Sequence, residues 1–296
     1  MNAYTIYAVN LGGDLISGCS DQAFDMGLVE SIVKGDGSPY PTHIAPMEQR
    51  PSITFSTTEL AALLTKIGVL GWTIDSPVIL YCQKLSDTGR SAGSDHVVLT
   101  VNAGVVIPVQ ITASQGQGGE ARMSARIVPT WDGTNIPIIP STGALAGTPA
   151  VGSVYTVGPV KINGSWPGGV QSINVNFGIT DQSMMADGEG WARNNFRIGM
   201  DPIIMIDTTE ATSLYTLGMA GTAAASTTAV FFTRIKGSDQ SMRYAANESQ
   251  HVSIAAQGRV SVRTIGQDPV STSIQITARK VSGTAVLVAS TATTIA

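Results

Sequence analysis

The chain has 296 residues, of which 43% are apolar and only 13% charged, with a net charge of −4 and a mean hydropathy of +0.18. This excludes a disordered chain, which is charged and poor in apolar residues, and a basic nucleic-acid reader, which carries a cationic stripe. The longest apolar runs, such as residues 285–289, are too short to cross a bilayer as a helix.

Taken in chain order, residues 4–11 read as a strand ending at a Gly-Gly turn, and residues 23–28 as a second strand. A long polar segment, 29–50, carries Asp36-Gly37 and then Tyr40. Asp-Gly supplies the positive φ of a tight hairpin tip, and a connection of this length points to an interaction arm. Residues 52–55 read as a strand, and Ser56-Thr57-Thr58-Glu59 as a capping box opening a helix. Leu60, Leu63, Leu64 and Ile67 then mark one apolar face at helical spacing. Strands follow over 78–83, 96–101, 105–113 and 121–128, and the Pro/Gly/Thr-rich stretch 131–153 reads as a linker.

The pattern then begins again. At an offset of 151, Tyr4-Thr5 falls on Tyr155-Thr156, Gly27 on Gly178, Asp36-Gly37 on Asp187-Gly188, and Thr57-Thr58-Glu59 on Thr208-Thr209-Glu210. About fifteen identities in about sixty ungapped positions exceed the roughly four expected by chance, so the sequence reads as an internal repeat. His96-Val97 falls on His251-Val252, Gly104 on Gly258, and Ala125-Arg126 on Ala278-Arg279. The second copy is expected to hold strands over 155–162 and 172–179, the latter with a clean alternation of Ile173, Val175, Phe177 and Ile179. An arm over 180–201 carries Asp187-Gly188 and Trp191. A strand over 203–206, a capping box at Asp207–Glu210, a helix and further strands with a turn at Gln257-Gly258 complete it, and residues 282–296 form a terminal strand or an arm onto a neighbour.

The expected fold is therefore mostly β. It comprises two tandem homologous β-sandwich or barrel domains, 1–130 and 154–296, each with one flanking α-helix and a long hairpin-like arm. Residues 1–150 hold 7 basic and 12 acidic side chains and the rest 10 and 9, so the acidic excess lies in the first copy. Cys19 and Cys82 sit at non-corresponding repeat positions (Val170 and Thr233 are their counterparts), which predicts two free thiols in a reducing compartment. No basic, apolar leader is legible at the N-terminus, so synthesis in the cytoplasm is expected.

Residues suited to chemistry are sparse. His43, His96 and His251 have no Cys or second His at metal-ligand spacing, and the last two read as structural groups closing a loop. Asp14, Asp21 and Asp25 lack the pattern of a calcium loop. Gly116-Gln117-Gly118-Gly119 lacks the Lys-Ser/Thr of a phosphate loop and reads as a hairpin connection. Gly89-Arg90-Ser91-Ala92-Gly93 fits the string of a nucleophile elbow, but no strand precedes it and no helix follows. No catalytic, cofactor or metal site is expected, and the chain is not expected to be an enzyme.

The order of elements (two strands, a long arm with Asp-Gly, a strand, one helix, then an antiparallel set entered at His-Val with a Gly turn) resembles the tail-tube domains of bacteriophages. The resemblance covers both copies. It implies six-domain rings stacked into a hollow tube, each ring built from three chains, with a central channel for genome passage. It implies a virion tail location, with the chain itself, other tail proteins and passing DNA as partners, and no membrane. The arms are implied to dock on the next ring, which singles out Asp36, Gly37, Tyr40, Asp187, Gly188 and Trp191. A trimeric capsid or decoration protein of double jelly-roll type, a tail hub or baseplate ring, and an adhesin-like β-sandwich are the alternative readings. Jelly rolls run eight strands with few helices, so the helix and arm separate them from tube domains.

Overall fold

Alternating apolar residues and Gly-rich turns fold most of this chain into strands. The computed structural model describes residues 4–35, 37, 39–84, 95–116, 118–145, 147, 149, 152–186, 188–209, 226–237, 243–265, 272–281 and 283–295. The first half contains β1 (Tyr4–Leu11), β2 (Asp14–Ile16), β3 (Cys19–Asp25), β4 (Leu28–Val33), β5 (His43–Gln49), β6 (Ser52–Thr57), α1 (Leu60–Ile67), β7 (Trp72–Thr73), β8 (Val78–Lys84), β9 (His96–Val101), β10 (Gly104–Ser114), β11 (Arg122–Pro129) and β12 (Ile139–Gly143). The second contains β13 (Tyr155–Ile162), β14 (Val170–Asn176), β15 (Ile179–Met184), β16 (Asn194–Met200), β17 (Ile203–Thr208), β18 (Ser226–Arg234), β19 (His251–Ile265), β20 (Thr272–Ala278) and β21 (Leu287–Thr293). The chain is mostly β and built like a β-sandwich.

A five-stranded sheet runs β12-β9-β8-β1-β2. A twelve-stranded sheet runs β13-β18-β19-β20-β17-β14-β10-β11-β6-β3, with β21 added on β19 and β7 on β10. In the first half the two sheets enclose Val9, Leu11, Val78 and Leu80 from one side and Ile53, Phe55, Ile111 and Met123 from the other. Most of the buried apolar residues form one cluster that continues into the second half through Tyr155, Val175, Phe177, Ile206, Phe232 and Ile276. Leu60, Leu63, Leu64 and Ile67 of α1 are buried in it, as their spacing predicts.

Several local expectations are corrected. The capping box at Ser56 does not form: β6 extends through Thr57, whose ladder partners are Met123 and Cys19. The Ser56 hydroxyl meets that of Ser124 at 2.8 Å, and Glu59 occupies the N-cap position without a side-chain cap bond. The Glu59 carboxylate is buried instead, accepting from the Ser17 hydroxyl at 2.7 Å and the Gly152 amide at 2.6 Å. Asp207 and Thr208 likewise belong to β17, Thr209 follows it, and Glu210 and the helix expected after it lie outside the described residues.

The second strand begins at Cys19 rather than residue 23. The stretch 131–153 contains β12, which pairs with β9. No turn breaks the second half at Gln257-Gly258: β19 runs straight through, because β18 and β21 hold its first part while β20 holds its second. The register also revises one repeat match. Gly104 faces Pro129 and Gly258 faces Ala278, so Ala278 corresponds to Pro129 and not to Ala125. Residues 287–293 form a strand of this chain's own sheet.

Candidate functional site

The two halves join through the backbone. β10 carries β11 on one side and β14 on the other, with Gln110 opposite Asn176, Ile111 opposite Val175 and Ala113 opposite Ile173. The Phe177 amide extends this seam to the Val109 carbonyl at 3.1 Å, and the Gln115 amide to the Gln171 carbonyl at 2.7 Å. Ile173, Val175 and Phe177, the alternation visible in the sequence, point into the core and are covered. A sheet shared in this way leaves no edge between the halves.

The sheet then ends twice. β3 is terminal, and its outer edge is unpaired among the described residues. The opposite terminal strand is β13, but within the sheet residues 259–265 of β19 have β20 as their one pairing partner among the described residues. At the offset of 151, β3 occupies the position of β14: Phe24 stands where Val175 stands, and Met26 where Phe177 stands. Val175 and Phe177 are 0% exposed, whereas Phe24 is 44% and Met26 50% exposed.

Two ribbons project from this sheet. The first arm pairs β4 with β5, Ile32 facing Ile44 and Val33 facing His43. The second pairs β15 with β16, Gln182 facing Phe196 and Met184 facing Asn194. Each leaves the sheet by the same device. The Asp25 or Asn176 side chain accepts from the amide of Gly27 or Gly178, at 2.9 and 2.8 Å. Both glycines have positive φ, and a Cβ on either meets the carbonyl oxygen of Arg50 or Asp201 at 2.2 or 2.1 Å, so glycine is required there.

The arms differ in what holds them. Arm two lies on the first half: Asp181 pairs with Arg126, Arg197 donates to the carbonyls of Leu70 and Gly71, and the Trp131 amide donates to the Ala192 carbonyl at 2.8 Å. Ile179 packs on Val105, Ile107 and Val128, on the face of β10–β11 turned away from the main core. Arg193 stacks over Trp131 with its guanidinium 4.8 Å from the ring centre, while Glu189 grips its nitrogens at 2.5 and 2.6 Å. Arm one meets arm two at its base, where the Gln49 amide donates to the Gly190 carbonyl at 2.7 Å and the Trp191 indole donates to Gln49 Oε1 at 3.0 Å. Beyond that, Leu28, Val29, Ile32, Val33, Ile44 and Met47 are all exposed.

Among the residues singled out from the sequence, Gly37 and Gly188 lie in the arm tips with φ of 70° and 73°, and Tyr40, at the tip of arm one, is 75% exposed. Trp191 sits apart from Tyr40, at the junction of the arms, although the two share a repeat position. Asp36 and Asp187 lie outside the described residues, as does the stretch 89–93 around Ser91. Sequence reasoning missed Gln49, Arg126, Asp181 and Trp131, which carry the contact of arm two. The exposed run of Phe24, Met26 and Leu28 was legible only as the counterpart of Val175, Phe177 and Ile179.

His251, His96 and the three acids singled out from the sequence are held by local contacts. His251 accepts from the Arg234 amide at 3.3 Å and meets the Ala245 carbonyl at 2.9 Å, closing the loop before β19. His96 does not close a loop in this way: it is buried against Tyr7 and Tyr81, and neither ring nitrogen has a hydrogen-bond partner among the described residues. Asp14 pairs with Lys66 at 2.9 Å, Asp21 lies 3.6 Å from Arg122, and Asp25 is taken by the Gly27 turn. These three acids are dispersed, and no group of metal-ligating side chains occurs among the described residues. Cys19 and Cys82 are free thiols, and burial pushes them up to about 12 and about 11. No family model matches this chain, and no curated protein matches it either.

Proposed function

We propose that this chain is a structural subunit that assembles with itself, three chains forming a ring of six equivalent β modules, and that such rings stack into a tail tube with a central channel. The observation that carries this reading is the β10–β14 seam. Two modules of one chain are already joined strand to strand, and the strands that would make the same joint again, the terminal β3 and the second part of β19, each have an outer edge unpaired among the described residues. A joint between unlike surfaces, repeated by rotation, closes into a ring. The two modules are residues 1–130 and 154–296; β12, from the stretch that follows the first, pairs with β9 as β21 of the second pairs with β19. The presence of α1 and of an arm in both halves supports a tube domain over a jelly roll.

In the stacked tube the arms reach the neighbouring ring, and the apolar first arm is the stronger contact. DNA passes through the channel without being read. Light scattering on the purified chain is expected to give three times its mass of 30.7 kDa, and electron microscopy to give annular end views and rods. Deletion of residues 34–41 at the tip of arm one is expected to leave folded rings that no longer stack. Closed shells, or rods of normal length after that deletion, overturn the tube reading.

A further inference from the structure

The unlike surroundings of equivalent strands identify a specific joint. Val175 and Phe177 are covered where β10 pairs with β14, whereas Phe24 and Met26 are open where no strand pairs with the outer edge of β3 among the described residues, β1 reaching the Gln22 side chain there. The strand that fits there must resemble β10, and this chain contains one. The ladder of β10 with β11 slips at Val109, and the ladder of β19 with β20 slips at Arg263. Gly104 and Gly258 lie the same five residues before these slips. Residues 262–265 of β19 therefore stand where Pro108–Ile111 stand, and their outer edge is unpaired among the described residues.

Charge agrees with shape. In the seam within the chain, Asp181 of arm two crosses to Arg126. The position of Asp181 is held in arm one by Glu30. The position of Arg126 is held in the second half by Gln275, since Arg126 faces Thr54 as Gln275 faces Met205. A cation is still present on that face: Arg259 faces Thr277 and Ser261 faces Gln275, which places exposed Arg259 one diagonal step from Gln275. Its aliphatic stem lies where Val105 receives Ile179, a surface suited to Leu28.

We propose that the outer edge of β3 pairs antiparallel with residues 262–265 of β19 in a second copy of this chain, with Asp25 opposite Thr264, Phe24 opposite Ile265, and Glu30 on Arg259. The proposal rests on the reading that the chain assembles with itself, and it names the surfaces that do so. The joint is head to tail, so each copy offers one edge of each kind and growth continues until the ring closes. It covers the apolar run Phe24, Met26 and Leu28 and places the acidic first module against the second module of its neighbour.

Directly opposed residues in an antiparallel pair lie about 4.5–5.5 Å apart at Cα, within the span of a disulfide. The test mixes full-length D25C with full-length T264C under mild oxidation and sequences the linked peptides. A linked dimer of one chain of each kind is expected, neither variant alone giving that linkage; the doubly substituted chain is expected to give a ladder ending at three. The native thiols add little background, because burial holds them protonated. F24C with I265C provides a second pair should Asp25 prove necessary to the turn at Gly27. E30R is expected to weaken assembly by about tenfold or more, and E30R with R259E to restore it, as for a desolvated charge pair. Particles of three-chain mass with neither linkage overturn this joint while leaving the assembly reading intact. A chain that stays monomeric at every concentration overturns both.

Discussion

Phe177 and Met26 stand 151 residues apart, at the offset read from the sequence, and differ in exposure, so truncating each tests folding against the proposed assembly. Phe177 is 0% exposed, and its amide holds the Val109 carbonyl across the seam. Burying a Phe side chain contributes about 1.5–3 kcal/mol by transfer alone. The space vacated by Phe177→Ala, about 100 Å³ if the seam does not collapse, adds roughly 2 kcal/mol at about 24 cal/mol per Å³. The sum, about 3–5 kcal/mol, is a large share of the roughly 5–15 kcal/mol that stabilises a domain. Met26 is 50% exposed, and Met26→Ala should cost the isolated chain under about 1 kcal/mol. Once a neighbour covers it, the cost should approach the roughly 2–5 kcal/mol of a buried methionine. Urea unfolding followed by tryptophan fluorescence, across a hundredfold range of chain concentration, measures both. F177A should be destabilised at every concentration, and M26A only where the wild type has assembled, because association stabilises by mass action. An equal loss for both variants in dilute solution refutes the claim that the β3 edge is open in the monomer. A loss for M26A that ignores concentration refutes its burial by a second copy.

Trp191→Phe removes the indole donor to Gln49 and should cost about 0.5–1.5 kcal/mol; the readout is faster hydrogen exchange at the Gln49 amide, which bonds Gly190 between the arms. Asp132 accepts from the Thr134 and Asn135 amides and from the side chains of Asn102 and Asn135, bonds that hold its carboxyl well below the usual range. A carboxyl depressed by folding contributes stability above its unfolded pKa of about 4 and loses it as pH falls toward the folded value. Asp132→Ala should therefore shallow the decline in stability below about pH 4, and an unchanged acid limb in urea titrations refutes the assignment. For the thiols, a pKa of about 12 at Cys19 and about 11 at Cys82 leaves, at pH 8, a thiolate fraction roughly a hundred- to a thousandfold below that of an ordinary cysteine. Disulfide exchange with an aromatic disulfide should be correspondingly slow in the folded chain and prompt in denaturant; prompt labelling of the folded chain contradicts the burial.

Local pattern alone determined the strand-rich character, the apolar face of α1 and the positions of the arms. Each rests on a short-range cause: period-two alternation, the spacing of Leu60, Leu63, Leu64 and Ile67, and the Asp-Gly pairs whose glycines, 37 and 188, take positive φ. Tertiary structure decided what the same motifs do in different places. Glu59 reads as a cap from its neighbours, yet strand pairing through Thr57 and the approach of Gly152 make it a buried tie between distant segments. In place of the turn expected at Gln257-Gly258, β19 continues as one strand that passes from pairing with β18 and β21 to pairing with β20. Val175 and Phe24 carry equivalent patterns, but one is covered and the other exposed, since burial depends on which strand arrives alongside. That is a property of long-range pairing, to which a window of a few residues is blind.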